Sequence, residues 1–514
     1  QNLRPGFSMW NCIFINAGQC GNQVGFSLID NIYTNIINQP SKEYLNNTFF
    51  DPYFTKSNEG KLIARAICVD TEPKVINESI ERSRASKRWL IDPSKTLFQY
   101  GGAGNNWALG YEMTTGDFLE EIMGLIKKEI DFCDFPPMLT FIHSIAGGTG
   151  SGLGTKISEE CSRRFQDIIR LNIVIAPYHF GEVVVQPYNS LLCLAKISNA
   201  SHGVLVFENE TAQYLCKEMR GIQNPSIQDL NQAICSNLTP LFLPRNSSNS
   251  HQIPMTLYDD ISLICSHPGF PFLSVKNLPQ TSSASVDYTF DNWDNLSNSI
   301  QLMHISGTWT EKNIPRNLRA GKQAFCSYEG INSENLVEVS GLKREEDMAL
   351  IWKSVGSIVY LFGLNAKEAT KGLSFQKSED RNKEKDIKTN TFASRTTLPS
   401  APVIKEKVKS QRNIQAVQNS LQWHLSFIKS HSLLINSSVS INELISVQHS
   451  EILVNRYQRS ISLLSNNQII LPFLQKIFNK SQELYKNQAY IHQYQKYGVT
   501  NEDFLEAFHT IGSF

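Results

Sequence analysis

Residues 146–152 read Ala146-Gly147-Gly148-Thr149-Gly150-Ser151-Gly152, four glycines in seven positions. A backbone this free of side chains can curl until several N–H groups point at one spot, which makes a cradle for phosphate. The apolar run Met138-Leu139-Thr140-Phe141-Ile142-His143-Ser144 predicts a strand leading into the turn, and a helix is expected from about Leu153. Such a helix would aim the positive end of its dipole at the same spot. No GxxxxGK[ST] pattern occurs, so no lysine is placed to reach a terminal phosphate, and the glycine spacing is not GxGxxG. A dinucleotide fingerprint would also close the first βα turn, whereas this loop lies far along the chain. Backbone, hydroxyls and a metal are left to hold the phosphates.

Three further segments carry matching chemistry. Gly18-Gln19-Cys20-Gly21 supplies a second glycine turn after the short apolar run Cys12–Ile15. Val69-Asp70-Thr71-Glu72-Pro73 ends another run in carboxylates. Carboxylates beside a polyphosphate need a divalent cation between them, and Mg²⁺, bound through few protein oxygens and several waters, fits Asp70 and Glu72. Gly101-Gly102-Ala103-Gly104-Asn105-Asn106-Trp107 adds another backbone nest.

The elements that must position these turns follow from the pattern of apolar runs. Residues 9–245 alternate short strands (12–15, 64–70, 172–176, 203–207) with helical stretches, which predicts an α/β fold with a mostly parallel, Rossmann-like sheet. In such sheets ligands sit at the carboxyl ends of the strands, where all the glycine turns fall. Ser226 is the expected N-cap of a helix that closes this domain. Residues 246–466 lose the glycine turns and read as a mixed α/β second domain, and 467–514 as a helical C-terminal region. Within the second domain, 366–412 holds 12 Lys/Arg against 6 Asp/Glu and reads as a basic, disordered insertion. Residues 1–8 read as an extension ahead of a natural start at Met9.

Composition sets bounds. With 48 basic and 48 acidic residues the net charge is zero, against the basic excess that nucleic-acid binding demands. No stretch approaches eighteen consecutive apolar residues, so no membrane span is expected. The 10 cysteines form no CxxC pair, which suits reduced thiols in the cytoplasm.

Taken together, GQCGNQ, VDTEP, GAGNNWA, GGTGSG and Pro187-Tyr188-Asn189 resemble the successive nucleotide loops of the tubulin family. The likeness runs from about Met9 to Leu243 and returns at 464–466 and 489–504. Within the family it is greatest to the delta type, through 64–77, Ala146, Gly181-Glu182-Val183 and Ala489–Tyr494, with gamma and epsilon types next. The resemblance implies GTP or GDP with Mg²⁺. It implies that Gln19, Cys20, Ser144, Gly148, Thr149 and Gly150 meet phosphate or ribose, with Gly104, Asn105, Ala146, Gly147, Ser151, Gly152 and Glu182 completing the pocket. Glu72 and Asp70 would sit at the metal, and Asn209 and Asn231 would read the guanine edge. Ile227 stands where the family usually stacks an aromatic ring on the base, and Gln186 where a glutamate often precedes Pro-Tyr-Asn.

Catalysis in that family is completed across a subunit interface. The matching stretch, Leu257–Leu263, places Asp259 as the carboxylate that would act on a neighbour's γ-phosphate, with Asp260 the alternative one position on. The resemblance further implies a cytoskeletal subunit at centrioles or basal bodies, serving triplet microtubules and cilium assembly. Its partners would be other tubulins (alpha/beta and epsilon) and microtubule or centriole components. A non-polymerising GTP-dependent assembly factor is the competing expectation.

Overall fold

The computed structural model of the 514-residue chain describes residues 10–39, 49–178, 183–247, 254–265, 270–281, 292–313, 354–363, 366 and 445–514. Residues 1–8, Met9, Gly181, Glu182, His267, Pro268 and the 366–412 stretch beyond Ala366 lie outside the described residues.

The chain opens with β1 (Cys12–Ala17) and passes at once into α1 (Gly18–Ile37). β2 (Phe54–Lys56) and β3 (Leu62–Ala64) make a small hairpin, and β4 (Ala66–Asp70), α2 (Pro73–Ser86) and β5 (Thr96–Phe98) follow. α3 (Trp107–Met113), α4 (Gly116–Asp131), β6 (Met138–Ser144), α5 (Thr149–Arg164), β7 (Arg170–Ala176), α6 (Gln186–Ala200) and β8 (Gly203–Glu208) complete a doubly wound unit. Its parallel strands lie in the order β5-β4-β1-β6-β7-β8. Numbered by sequence within the unit that order is 3-2-1-4-5-6, with its switch point between β1 and β6.

Alternation along β1 explains how both faces are covered. Cys12 and Phe14 point into a core shared with Val24, Leu28 and Ile32 of α1. Ile13 and Ile15 point the other way, against Leu119 and Ile122 of α4 and Leu153 and Ile157 of α5. A parallel sheet buried on both sides needs such near-continuous apolar strands. Because α1 and α5 leave neighbouring strands toward opposite faces, a crevice opens between their N-termini.

α7 (Asn209–Tyr214) and a π-helical turn lead to α8 (Ile227–Phe242), which packs along α1. Ser226 caps α8 as expected, in a reciprocal box with Asp229. β9 (Arg245–Ser247), β10 (Pro254–Met255), α9 (Leu257–Ile264), β11 (Phe272–Leu278), α10 (Trp293–Ser306), β12 (Ser354–Gly363), β13 (Ile445–Ser450) and β14 (Arg459–Asn467) follow. β11 pairs in parallel with the edge of β8, so among the described residues these strands extend the first sheet to twelve, in the order β10-β9-β13-β12-β14-β11. α11 (Leu471–Lys486), α12 (Ile491–Gln495) and α13 (Asn501–Gly512) pack on α6 and bury Tyr494 and Phe504 against Tyr188. Among the described residues no helix is long and apolar enough to cross a membrane.

One expected boundary moves. Helix α5 begins at Thr149 rather than near Leu153, so half of the glycine run is already its first turn. The reason is packing: a Cβ on Gly152 would lie 2.3 Å from Trp107 O, and one on Gly148 2.5 Å from Ala103 O. Glycine in these positions lets the helix start directly against α3.

Candidate nucleotide site

The turns singled out in the sequence meet at the switch point. Gly18 opens α1 at φ +73°, and a Cβ there would lie 2.7 Å from Gly150 N, so the two loops touch backbone to backbone. At the end of β4, Thr71 Oγ1 lies 2.6 Å from Thr149 Oγ1. A Cβ on Gly102 would approach Glu72 Oε1 to 3.4 Å, and one on Gly147 would find only Asn105 Oδ1, at 3.9 Å. Nothing lies within 4 Å of that position on Gly104, whose φ is +51°. The Gly18, Thr71–Glu72, Gly102 and Thr149 turns are thereby brought together, with open space in front of Gly104 and Gly147.

The helix ends facing this space are left bare. α1 and α5 have no side-chain cap and no acidic residue in their first turns. α3, α8, α9, α10 and α13 carry side-chain caps, whereas α2, α4, α6, α7, α11 and α12 are uncapped as α1 and α5 are. The orphan N–H groups of α1 and α5 are thus free for an anion.

Residues within the loops divide by burial. Gln19, Gly104 and Asn105 are exposed, and Cys20, Ser144, Ala146, Gly147, Thr149 and Gly150 are partly so. Burial pushes the Cys20 thiol up to about 12, so it stands there as a neutral group. Gly148, Ser151 and Gly152 are buried, and Ser151 Oγ turns back to the carbonyls of Gly147 and Gly148. These three shape the loop from beneath, so their side-chain positions do not face the open space. Ser144 Oγ accepts the Ala146 N–H at 3.1 Å and holds the turn as it leaves β6.

The carboxylates differ. Asp70 is 4% exposed, and burial raises its carboxyl to about 6 although the Thr71 N–H donates to it at 2.8 Å. Glu72 is exposed and precedes α2 without capping it. Among the described residues no group of three or more His, Cys, Asp or Glu is placed to hold a metal. A magnesium ion arriving on a nucleotide needs only one or two protein carboxylates, and these two fit that demand. The segments 17–22, 69–72, 101–106 and 144–152 contain no Lys or Arg, so such a cation would supply charge the loops lack.

Asn209 opens α7 directly after β8, partly exposed, and α7 packs against α8. Asn231 of α8 is 8% exposed. Ile227, at the start of α8, is 61% exposed, an apolar side chain left in the open.

Several positioning residues carry no local sequence signal. Asn22 donates to Gly18 O at 2.9 Å and to Val69 O at 3.1 Å, tying the start of α1 to β4. Thr71 lay inside VDTEP, but only the fold shows that it meets Thr149. Asn106 caps α3 through Ala108 N and reaches Gln493 O at 3.0 Å.

Asp259 and Asp260 part company on α9. Asp259 is partly exposed at the N-terminal turn, where its Oδ2 accepts from Thr256 N at 2.9 Å and Thr256 Oγ1 at 2.6 Å. Asp260 is fully buried against the Arg245 guanidinium and also accepts from Tyr360 at 2.9 Å and Gln448 at 2.6 Å. A side chain so enclosed has no access to another subunit, so the alternative one position on is set aside.

Residues 11–217 match the Tubulin/FtsZ family, GTPase domain. The chain carries the GTPase domain of the tubulin family. Likeness to tubulins extends well beyond it. The chain is 28% identical over 504 residues to the Tubulin delta chains of Mus musculus and Homo sapiens, an alignment that covers 96% of this chain and of each of those. It is 33% identical over 293 residues to the Tubulin gamma chain of Saccharomyces cerevisiae, across 54% of this chain and 59% of that one. The switch-point loops all lie within the matched tubulin-type GTPase domain.

Proposed function

We propose that this chain is a GTP-binding, tubulin-type cytoskeletal subunit of delta character. In this reading it holds GTP or GDP with Mg²⁺ at the switch point between β1 and β6. The observation that carries it is the convergence of the Gly18, Thr71, Gly102 and Thr149 turns on one space bounded by bare helix N-termini. Gln19, Cys20, Ser144, Ala146, Gly147, Thr149 and Gly150 line the phosphates, Gly104 and Asn105 close the far side, and Glu72 and Asp70 face the metal. Asn209 and Asn231 read guanine, since an amide both donates and accepts and so matches the mixed edge of that base. Ile227 gives the base an apolar contact without ring stacking.

Nothing in the loops is an evident base for water, so Asp259 on α9 of this chain is assigned to act on the γ-phosphate held by the neighbouring subunit. The delta-type likeness along the chain supports work at centrioles or basal bodies, in triplet microtubules and cilium assembly, with alpha, beta and epsilon tubulins as neighbours.

Purified protein is expected to retain GTP or GDP and to lose it on chelation of Mg²⁺; nucleotide-free protein that ignores added GTP overturns the reading. Tagged protein in a ciliated cell is expected at the base of the cilium, and a diffuse signal there removes the centriolar part. For the interface, Asp259→Asn retains an acceptor for the Thr256 cap while removing the charge. It should slow GTP turnover at least tenfold in a reconstituted assembly with other tubulins, and unchanged turnover would sink that role.

A further inference from the structure

The glycine loops are also held from the far end of the chain. Asn189, near the start of α6, is fully buried with its amide wedged between them. Its Oδ1 accepts from Trp107 N at 2.9 Å and from Tyr494 OH at 2.6 Å. Its Nδ2 donates to Asn105 O and to Ala146 O, each at 2.8 Å. The orientation is chemically forced: an N–H must meet the oxygen, and two carbonyls must meet the nitrogen. All four hydrogen-bonding positions of one amide are thereby filled.

Two of these partners are the loops that face the open space. Asn105 O belongs to 101–106, where Asn105 itself adopts φ +53°, and Ala146 O belongs to 144–152. The fourth partner lies outside the doubly wound unit. Tyr494 sits on α12, its ring edge-on to Tyr188 at 5.5 Å and to Phe504 at 5.6 Å. Its hydroxyl has one hydrogen and two acceptors in reach, and Asn189 Oδ1 at 2.6 Å is far nearer than Val185 O at 3.3 Å.

We propose that Asn189 and Tyr494 are a positioning pair for the nucleotide: together they fix the separation of the 101–106 and 144–152 loops and so set how long a bound nucleotide stays. The pair touches no phosphate itself. It acts through the two carbonyls it holds, and it couples the loops to α12, which Asn106 reaches as well through Gln493 O. A carboxylate at position 189 would turn oxygens toward both carbonyls, so Asn is required where Asp would repel. The inference rests on the reading that these loops hold GTP.

The test uses full-length protein loaded with a fluorescent GTP analogue and Mg²⁺, with release followed during a chase of unlabelled GTP. Tyr494→Phe keeps the packed ring and removes one hydroxyl; release is expected to quicken about five- to tenfold, the value of one buried hydrogen bond. Tyr485→Phe is the control. Its ring packs on Phe504 at 5.6 Å and Phe508 at 5.5 Å in the same cluster but outside the nucleotide loops, so release should stay at the wild-type rate. In wild type, loading should also slow amide exchange across 491–495, and in Tyr494→Phe that protection should vanish. Release from Tyr494→Phe at the wild-type rate overturns the proposal, and so does equal quickening in both variants, which would mean a general loosening. Wild-type protein that takes up no analogue fails the site reading itself, and the pair falls with it.

Discussion

Asp70 shows how one residue can register the ligand the loops await. Burial comes first in pushing its carboxyl from 3.8 to about 6, the Thr71 and Glu72 amides pull it down, and the Glu72 charge pushes it up again. Between those values the folded chain binds more protons at this site than the unfolded chain. Stability therefore falls as pH rises through that window, by on the order of 2–3 kcal/mol once Asp70 is fully ionised. Asp70→Asn should remove that slope, and nucleotide-free variant should melt above wild type at pH 7.5. Its Mg²⁺-dependent affinity for GTP should drop at the same time, because the charge that destabilises the empty site is the one a cation would meet. Thermal melts from pH 4 to 8 read the first effect and titration with Mg²⁺-GTP the second; a variant no more stable than wild type at pH 7.5 removes the burial argument. The carboxylates were legible from VDTEP alone. Their inequality, one buried and one exposed, was not, because burial depends on what packs over the strand end.

At the scale of elements, the decisive contact is between the first turns of α1 and α5. Gly18 combines a left-handed φ of +73° with backbone 2.7 Å from where a Cβ would stand, so Gly18→Ala is strained twice over. It should force the loops apart and weaken GTP binding tenfold or more. Gly60, at φ +77° with nothing within 4 Å, isolates the strain alone. Gly60→Ala should cost about 1 kcal/mol of stability and leave GTP affinity unchanged. Equal loss of affinity in the two variants, measured by the same titration, would show that contact between the loops is irrelevant. Strand positions and the Ser226 cap could be read from local pattern, since alternation and capping are short-range. The start of α5 could not, because it is set by α3, whose backbone lies against Gly148 and Gly152.

For the whole molecule, the neighbours Asp259 and Asp260 mark the difference between surface and interior. Asp260 joins α9 to β12 through Tyr360, to β13 through Gln448, and to Arg245, whose Nη1 also grips Pro240 O at 3.1 Å and Leu241 O at 2.8 Å at the end of α8. Asp260→Ala would strand a buried guanidinium and should cost about 3–5 kcal/mol in denaturant unfolding. Asp259→Asn, confined to a cap, should cost under about 1 kcal/mol. If the two losses are similar, the interior network does not hold the second group of strands to α8.

The sequence by itself determined the α/β class, the lysine-free glycine turns, the carboxylates that follow β4 and the likeness to tubulins. Each of these is written in residues close together along the chain, where apolar period and glycine content act directly on backbone geometry. Only the tertiary structure decided which turns touch, that Ser151 and Gly152 lie beneath the loop, that Asp260 is interior, and that Asn189 ties the loops together. The partners of Asn189 lie 84 residues away at Asn105 and 305 away at Tyr494. A hydrogen bond across that separation leaves no periodic trace, since it forms only after the sheet has brought its ends together.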